Sequence, residues 1–162
     1  MKRLYNKFIL FIATGSFVGY IPFAPGTFGS MLGIIIYYYV SHYLNFYLSL
    51  VVLGFLLVIG IFTADRAEVL LHEQDSSKIV IDEITGMYIA LFLIPLTPIN
   101  IAISFLCFRL IDIFKPYPIS YIDKHVHRGP GVMLDDIVGA IPANLIARIL
   151  IFGVEVFSGK TV

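Results

Sequence analysis

Leu44-Asn45-Phe46-Tyr47-Leu48-Ser49-Leu50-Val51-Val52-Leu53-Gly54-Phe55-Leu56-Leu57-Val58-Ile59-Gly60-Ile61-Phe62-Thr63 is a run of 20 residues, almost all apolar. A helix rises about 1.5 Å per residue, so the run reaches roughly 30 Å, the thickness of a bilayer's hydrocarbon core. It predicts a transmembrane helix. The run lies within a longer stretch, between Lys7 and Asp65, that contains no charged side chain. Phe28 to Val40 is a second, shorter apolar run, closed by Ser41-His42. A turn near residues 41–46 makes the two an antiparallel pair. Tyrosines 37, 38, 39, 43 and 47 flank that turn as an interfacial aromatic belt does.

The whole chain has the same character. Of its 162 residues, 59% are hydrophobic and 14% charged, with a mean hydropathy of +0.91. A soluble domain carries about a quarter charged residues, so this chain lacks the polar groups to cover a water-exposed surface. The same numbers exclude disorder. One cysteine, Cys107, excludes an intramolecular disulfide framework and cysteine-rich zinc sites. A net charge of zero argues against a nucleic-acid partner. The expected fold is all-α: one membrane-embedded domain over residues 1–162, a polytopic bundle of about four or five apolar helices with a polar site on its cytoplasmic face.

A second charge-free run, Ile84 to Phe108, is broken by Pro95 and Pro98, which predicts two helices joined at the break. Each has only about a dozen uncharged residues, roughly 17 Å. To cross most of a bilayer they must include Asp82 and Glu83 at one end and Arg109 and Asp112 at the other. A last apolar segment is expected from Ile137 to about Phe157, following Asp135-Asp136 and containing Arg148 and Glu155. Lys2, Arg3 and Lys7 precede a short apolar core that makes a poor signal peptide. The N-terminus therefore reads as a retained helix or re-entrant segment. The turns near 41–46 and 95–100 contain no Lys or Arg, and the cations from Lys2 to Arg128 gather at the opposite helix ends. The positive-inside rule places that end in the cytoplasm.

Most of the acidic residues share that end. Asp82, Glu83, Asp112, Asp135 and Asp136 adjoin apolar helices. Five carboxylates at bilayer centre would cost on the order of 15 kcal/mol on insertion scales, so they must lie at the interface, be paired, or bind metal. One acid at a helix N-terminus is ordinary; two adjacent doublets, with Asp112 brought to the same face, fit a hard divalent cation. Oxygen-only ligands favour Mg²⁺, Mn²⁺ or Ca²⁺ over zinc. Gly86 and Gly139, each four residues after an acid, would let helices approach beneath a metal. Arg109 and Asp112, at i and i+3, share a helix face that Lys115 continues before Pro116. That segment is either an ion pair with a snorkelling lysine or a phosphate clamp. Pro25-Gly26-Thr27-Phe28-Gly29-Ser30 precedes the first apolar helix, where backbone N–H groups favour anions. His125 and His127 fall on a short amphipathic surface helix around Ile119, Ile122 and Val126, and Cys107 is a packing residue.

Four blocks, in order, carry a family resemblance: Ala24-Pro25-Gly26-Thr27-Phe28-Gly29-Ser30, Ile79-Val80-Ile81-Asp82-Glu83-Ile84-Thr85-Gly86, the segment Phe108 to Pro118, and the segment Gly131 to Ala140. With them the chain resembles the phosphatidylglycerophosphatase A family, over about residues 13 to 150. Where the family often shows Trp after the Lys-Pro, this chain has Tyr117.

The resemblance implies a Mg²⁺-dependent phosphatase on the cytoplasmic face of a bacterial inner membrane. It would convert phosphatidylglycerophosphate, its phospholipid substrate, to phosphatidylglycerol. The expected metal ligands are Asp82, Glu83, Asp135 and Asp136. Glu83 or Asp112 is the expected base. Arg109, Lys115 and Thr27 are the expected phosphate contacts. Direct attack by an Asp is an alternative to attack by water. A small transporter using the carboxylates as an ion path is the alternative function. The Asp-x2-Asp-Gly-x2-Ala-Arg signature of CDP-alcohol phosphatidyltransferases is absent.

Overall fold

The computed structural model describes residues 2–157. Seven α-helices and one 3-10 turn make up their regular structure, and no strand is among the described residues. They are α1 (Lys2–Ala13), the turn Val18–Tyr20, α2 (Pro25–Tyr43), α3 (Phe46–Leu71), α4 (Ile81–Leu91), α5 (Pro98–Phe114), α6 (Ile119–His125) and α7 (Arg128–Phe157).

The pair predicted around residues 41–46 is α2 and α3. Two residues link them, and Asn45 caps α3 by accepting a hydrogen bond from the Leu48 N–H at 3.0 Å. The Pro95–Pro98 break separates α4 from α5, where Thr97 caps α5 through the Asn100 N–H. Two helices, α3 with 26 residues and α7 with 30, are long and apolar enough to cross a membrane. Their outer faces are apolar and open: Val58 on α3 is 73% exposed and Ile149 on α7 is 70%. Such faces suit lipid rather than water.

The expected four or five apolar membrane helices are not confirmed: two of the described helices qualify by length and composition. The prolines leave α4 with 11 residues and α5 with 17, and α4 spans only about 16 Å. A second correction concerns α7. It begins at Arg128, not at Ile137, so Asp135 and Asp136 lie two turns inside it. Pro130 falls in the first turn, where the missing N–H has no helical partner to lose. For the same reason Pro25 starts α2, and the Gly26–Ser30 block forms that helix's first turns instead of preceding it.

Short α4 stands at the centre. Ile84, Thr85, Gly86, Met87, Tyr88, Ala90 and Leu91 are all buried, so most of its circumference is covered, with Phe108 of α5 and Met133 of α7 in the same core. Its C-terminal carbonyls end in apolar surroundings and need donors. Asn144 of α7 supplies them, its Nδ2 lying 2.9 Å from Ala90 O, 3.0 Å from Phe92 O and 3.3 Å from Ile89 O. Arg148 adds a bond to Phe92 O at 2.8 Å. Asn144→Leu should therefore lower stability by about 2 kcal/mol, the cost of stranding buried acceptors. Arg148→Met, at an exposed position, should cost less. Thermal unfolding of both variants in matched detergent micelles checks the order.

Candidate active site

The first turn of α4 holds Asp82 and Glu83, where the helix macrodipole favours negative charge. The third turn of α7 brings Asp136 to face them. One carboxylate oxygen from each of the three can be chosen so that all lie within 4.8 Å of one another. Asp136 is 4% exposed. Asp82 Oδ1, Glu83 Oε2 and Asp136 Oδ2 are buried without a hydrogen-bond partner. Like charges gathered out of water repel and forfeit hydration. The donor set is entirely oxygen, and three of its buried oxygens have no hydrogen-bond partner. Such residues fit a hard divalent cation. Gly86 lets the helices close here: a Cβ on it would lie 2.5 Å from Phe108 Cζ and 3.3 Å from Asp136 Cβ.

Arg109 borders the group from α5. Its Nη1 is 2.6 Å from Asp112 Oδ2 and 3.5 Å from Ser30 Oγ, while its Nε is buried and unpartnered. The start of α2 closes the same corner. A Cβ on Gly26 would fall on Glu83 Oε1 and come within 3.2 Å of Arg109 Nη1. Ala24, the residue before α2, is left-handed and gives no side-chain cap. Its carbonyl accepts from the Thr27 N–H at 3.0 Å.

Asp135 turns elsewhere. Successive residues on a helix point about 100° apart, and Asp135 Oδ2 meets Lys115 Nζ at 2.5 Å. Lys115 also donates to Asp123 Oδ1 at 2.5 Å. Burial disfavours the Lys115 ammonium, but the two carboxylates outweigh that and raise its pKa above the ordinary lysine value. The second oxygen of Asp135, Oδ1, is buried without a partner.

Of the expected ligands, Asp82, Glu83 and Asp136 come together, and Asp135 stands beside them on Lys115. Of the expected phosphate contacts, Arg109 reaches the group, Lys115 is held by two acids, and Thr27 lies half-buried on the first turn of α2. Asp112 is the partner of Arg109. Sequence reasoning missed two residues. Ser30 lies four residues after Gly26 and bonds to its carbonyl. Asp123, on the amphipathic α6, anchors Lys115. The Pro25–Ser30 block contains the first without giving it a role; nothing local flags the second. His125 Nδ1 lies 2.8 Å from Tyr121 O and its ring stacks on Tyr121, as expected of a surface residue. Cys107 is buried.

The profile of the family described as PgpA, phosphatidylglycerophosphatase A, matches residues 11–151. The chain belongs to this family. Its members in the comparison include the phosphatidylglycerophosphatase A of Escherichia coli, 36% identical over 137 residues, covering 83% of this chain and 79% of that protein. The Haemophilus influenzae phosphatidylglycerophosphatase A is 34% identical over 136 residues, covering 83% of each chain. A Bacteroides thetaiotaomicron protein named a putative phosphatidylinositol-3-phosphatase is 34% identical over 137 residues, 80% of this chain and 85% of its own. No solved structure matches. The chain is accordingly a phosphatase, and the transporter alternative finds no support.

The Gly26 contact makes a sharp test. Gly26→Ala should push Glu83 and Arg109 apart and lower kcat by about 10²-fold, as a displacement near 1 Å does. Gly54→Ala on α3, where nothing lies within 4 Å of the added methyl, should leave activity unchanged. Steady-state phosphate release by the two variants, with folding checked by thermal unfolding, decides it.

Proposed function

We propose that the chain hydrolyses the terminal phosphate of phosphatidylglycerophosphate to give phosphatidylglycerol, using Mg²⁺ held by Asp82, Glu83 and Asp136. The observation that carries this reading is the trio of buried, partnerless carboxylate oxygens beside Arg109 and the uncapped start of α2. Asp135, one residue along α7, supports the group with its unengaged oxygen. When bound, the ion supplies Lewis acidity to the phosphoryl oxygens and makes water a better nucleophile.

The remaining roles belong to the chain's own groups. Arg109, with Nη1 on Asp112 and Nε unengaged, offers a planar fork to the phosphoryl oxygens. The first turn of α2, with Thr27, adds positive helix-end potential on the same side. Glu83 or Asp112 accepts the proton of the attacking water. Lys115 keeps its charge beside the site and offsets the acids, reaching a phosphate only by leaving Asp123 or Asp135. The lipid's acyl chains stay in the bilayer, so the site draws its substrate laterally.

Phosphate release from phosphatidylglycerophosphate by purified protein should disappear in EDTA and return with Mg²⁺. Asp82→Asn and Asp136→Asn should each lower kcat by about 10²–10⁴-fold, the range for losing a proton-transfer or charge-stabilising group, with partial rescue at high Mg²⁺. Arg109→Lys should impair turnover with little change in the Mg²⁺ requirement. Full turnover after exhaustive chelation would remove the metal from the mechanism.

We further propose a multi-pass bundle in a bacterial inner membrane with the charged end in the cytoplasm, following the distribution of Lys and Arg. On a Cys107→Ala background, Asn45→Cys should react with an impermeant thiol reagent in intact cells and Ser77→Cys should not. The reverse pattern would put the site outside.

A further inference from the structure

Helix α1 has a surface that the phosphatase chemistry does not use. It packs on α3, burying Ile9 and Ala13. Leu4, Phe8 and Phe11, at i, i+4 and i+7, lie on the other side and are exposed. Together with Phe17 they line an apolar groove of about 650 Å³, with Lys7 at its edge.

The far wall of the groove is built at a conformational cost. Gly15, Ser16 and Phe17 are all left-handed, with φ of 55°, 58° and 72°, a region that side chains bearing a Cβ seldom adopt. The Ser16 N–H donates to Phe11 O at 2.7 Å and the Phe17 N–H to Thr14 Oγ1 at 3.2 Å. The result sets the Phe17 ring edge-on to Phe11, with centroids 5.5 Å apart. Strain retained at one place invites a functional reason.

Charge identifies the occupant. Lys2, Arg3 and Lys7 cluster on this one helix, no acidic residue occurs before Asp65, and none of the three has an ion pair among the described residues. An amphipathic helix with an aromatic-aliphatic face and a basic edge is the form that lies in an anionic membrane interface. We propose that this groove binds an anionic glycerophospholipid, one acyl chain lying along Leu4, Phe8, Phe11 and Phe17 and the headgroup phosphate meeting Arg3 and Lys7. A cation near an anionic lipid surface contributes about fivefold in binding, so the site selects charged lipid over zwitterionic lipid. The selection does not depend on the proposed hydrolysis.

The chain contains no tryptophan, so one introduced indole reports on its own surroundings. Phe11→Trp, and separately Phe8→Trp, are placed in the full chain and reconstituted in phosphatidylcholine vesicles containing a minor fraction of phosphatidylglycerol. Bromine is carried on the acyl chains of either the phosphatidylglycerol or an equal fraction of the phosphatidylcholine. Quenching per brominated chain should be at least fivefold stronger for the anionic lipid. It should fall to parity when Arg3→Gln and Lys7→Gln are added, and weaken in high salt. The same preference is expected in an Asp136→Asn chain, which separates this site from the chemistry. Equal quenching by the two lipids at both Trp positions would reduce the groove to bulk lipid contact and overturn the proposal. So would the absence of quenching by either lipid, the sign of a groove covered by a second copy of the chain.

Discussion

Asp82, Glu83 and Asp136 meet inside a bundle that has few polar atoms to offer them, and the rest of the architecture follows from that meeting. Three negative charges removed from water are tolerable only if opposite charge is provided. The chain supplies part of it. Asp82 and Glu83 lie in the first turn of α4, at the positive end of its dipole, the start of α2 abuts Glu83, and the Arg109 guanidinium lies alongside. None of these donors reaches the orphaned oxygens, and that deficit is the strongest physical reason to assign a divalent cation to the site.

Bringing these charges together requires α4 to begin inside the bundle and to end inside it. A helix of 11 residues has terminal groups at both ends that water does not reach. At its N-terminal end Val80, the residue before the helix, donates its N–H to Ala13 O at 2.9 Å. At its C-terminal end Asn144 and Arg148 meet that need. Arg148 therefore has a structural assignment: it completes the cap that lets a broken helix stand in apolar surroundings. The long helices α3 and α7 provide the frame, and α7 contributes to both ends of α4, with Asp136 at one and Asn144 at the other.

The sequence makes some of this legible and hides the rest, for physical reasons. Charge-free runs and prolines mark α2, α3, α4 and α5 because hydropathy and proline geometry act locally. The start of α7 is misread because Gly129-Pro130-Gly131 has the composition of a loop, while a proline in the first turn of a helix costs nothing. The acidic doublets identify the site, but spacing along the chain does not say which member of each doublet faces the other helix. That depends on how α4 and α7 rotate against each other, which Gly86 and Phe108 decide through packing. Asp123 leaves no local trace, since its role exists only once α6 folds back on Lys115.

The doublet Asp135-Asp136 shows how one turn of helix divides two tasks. The 100° step between neighbours sends Asp136 toward Asp82 and Glu83, and Asp135 toward Lys115. Lys115 in turn holds Asp123, so α6, α5 and α7 are tied at one ammonium. Because burial opposes that charge and the two acids overcome it, the bridge persists wherever the acids are ionised. It also favours the rotation of α7 that the Gly86–Phe108 packing sets, with Asp135 on Lys115 and Asp136 toward Asp82 and Glu83. A pair of adjacent carboxylates thus serves as proposed ligand and as ion-pair anchor. Either acid alone would satisfy one role and leave the geometry of the site to the apolar packing beneath it.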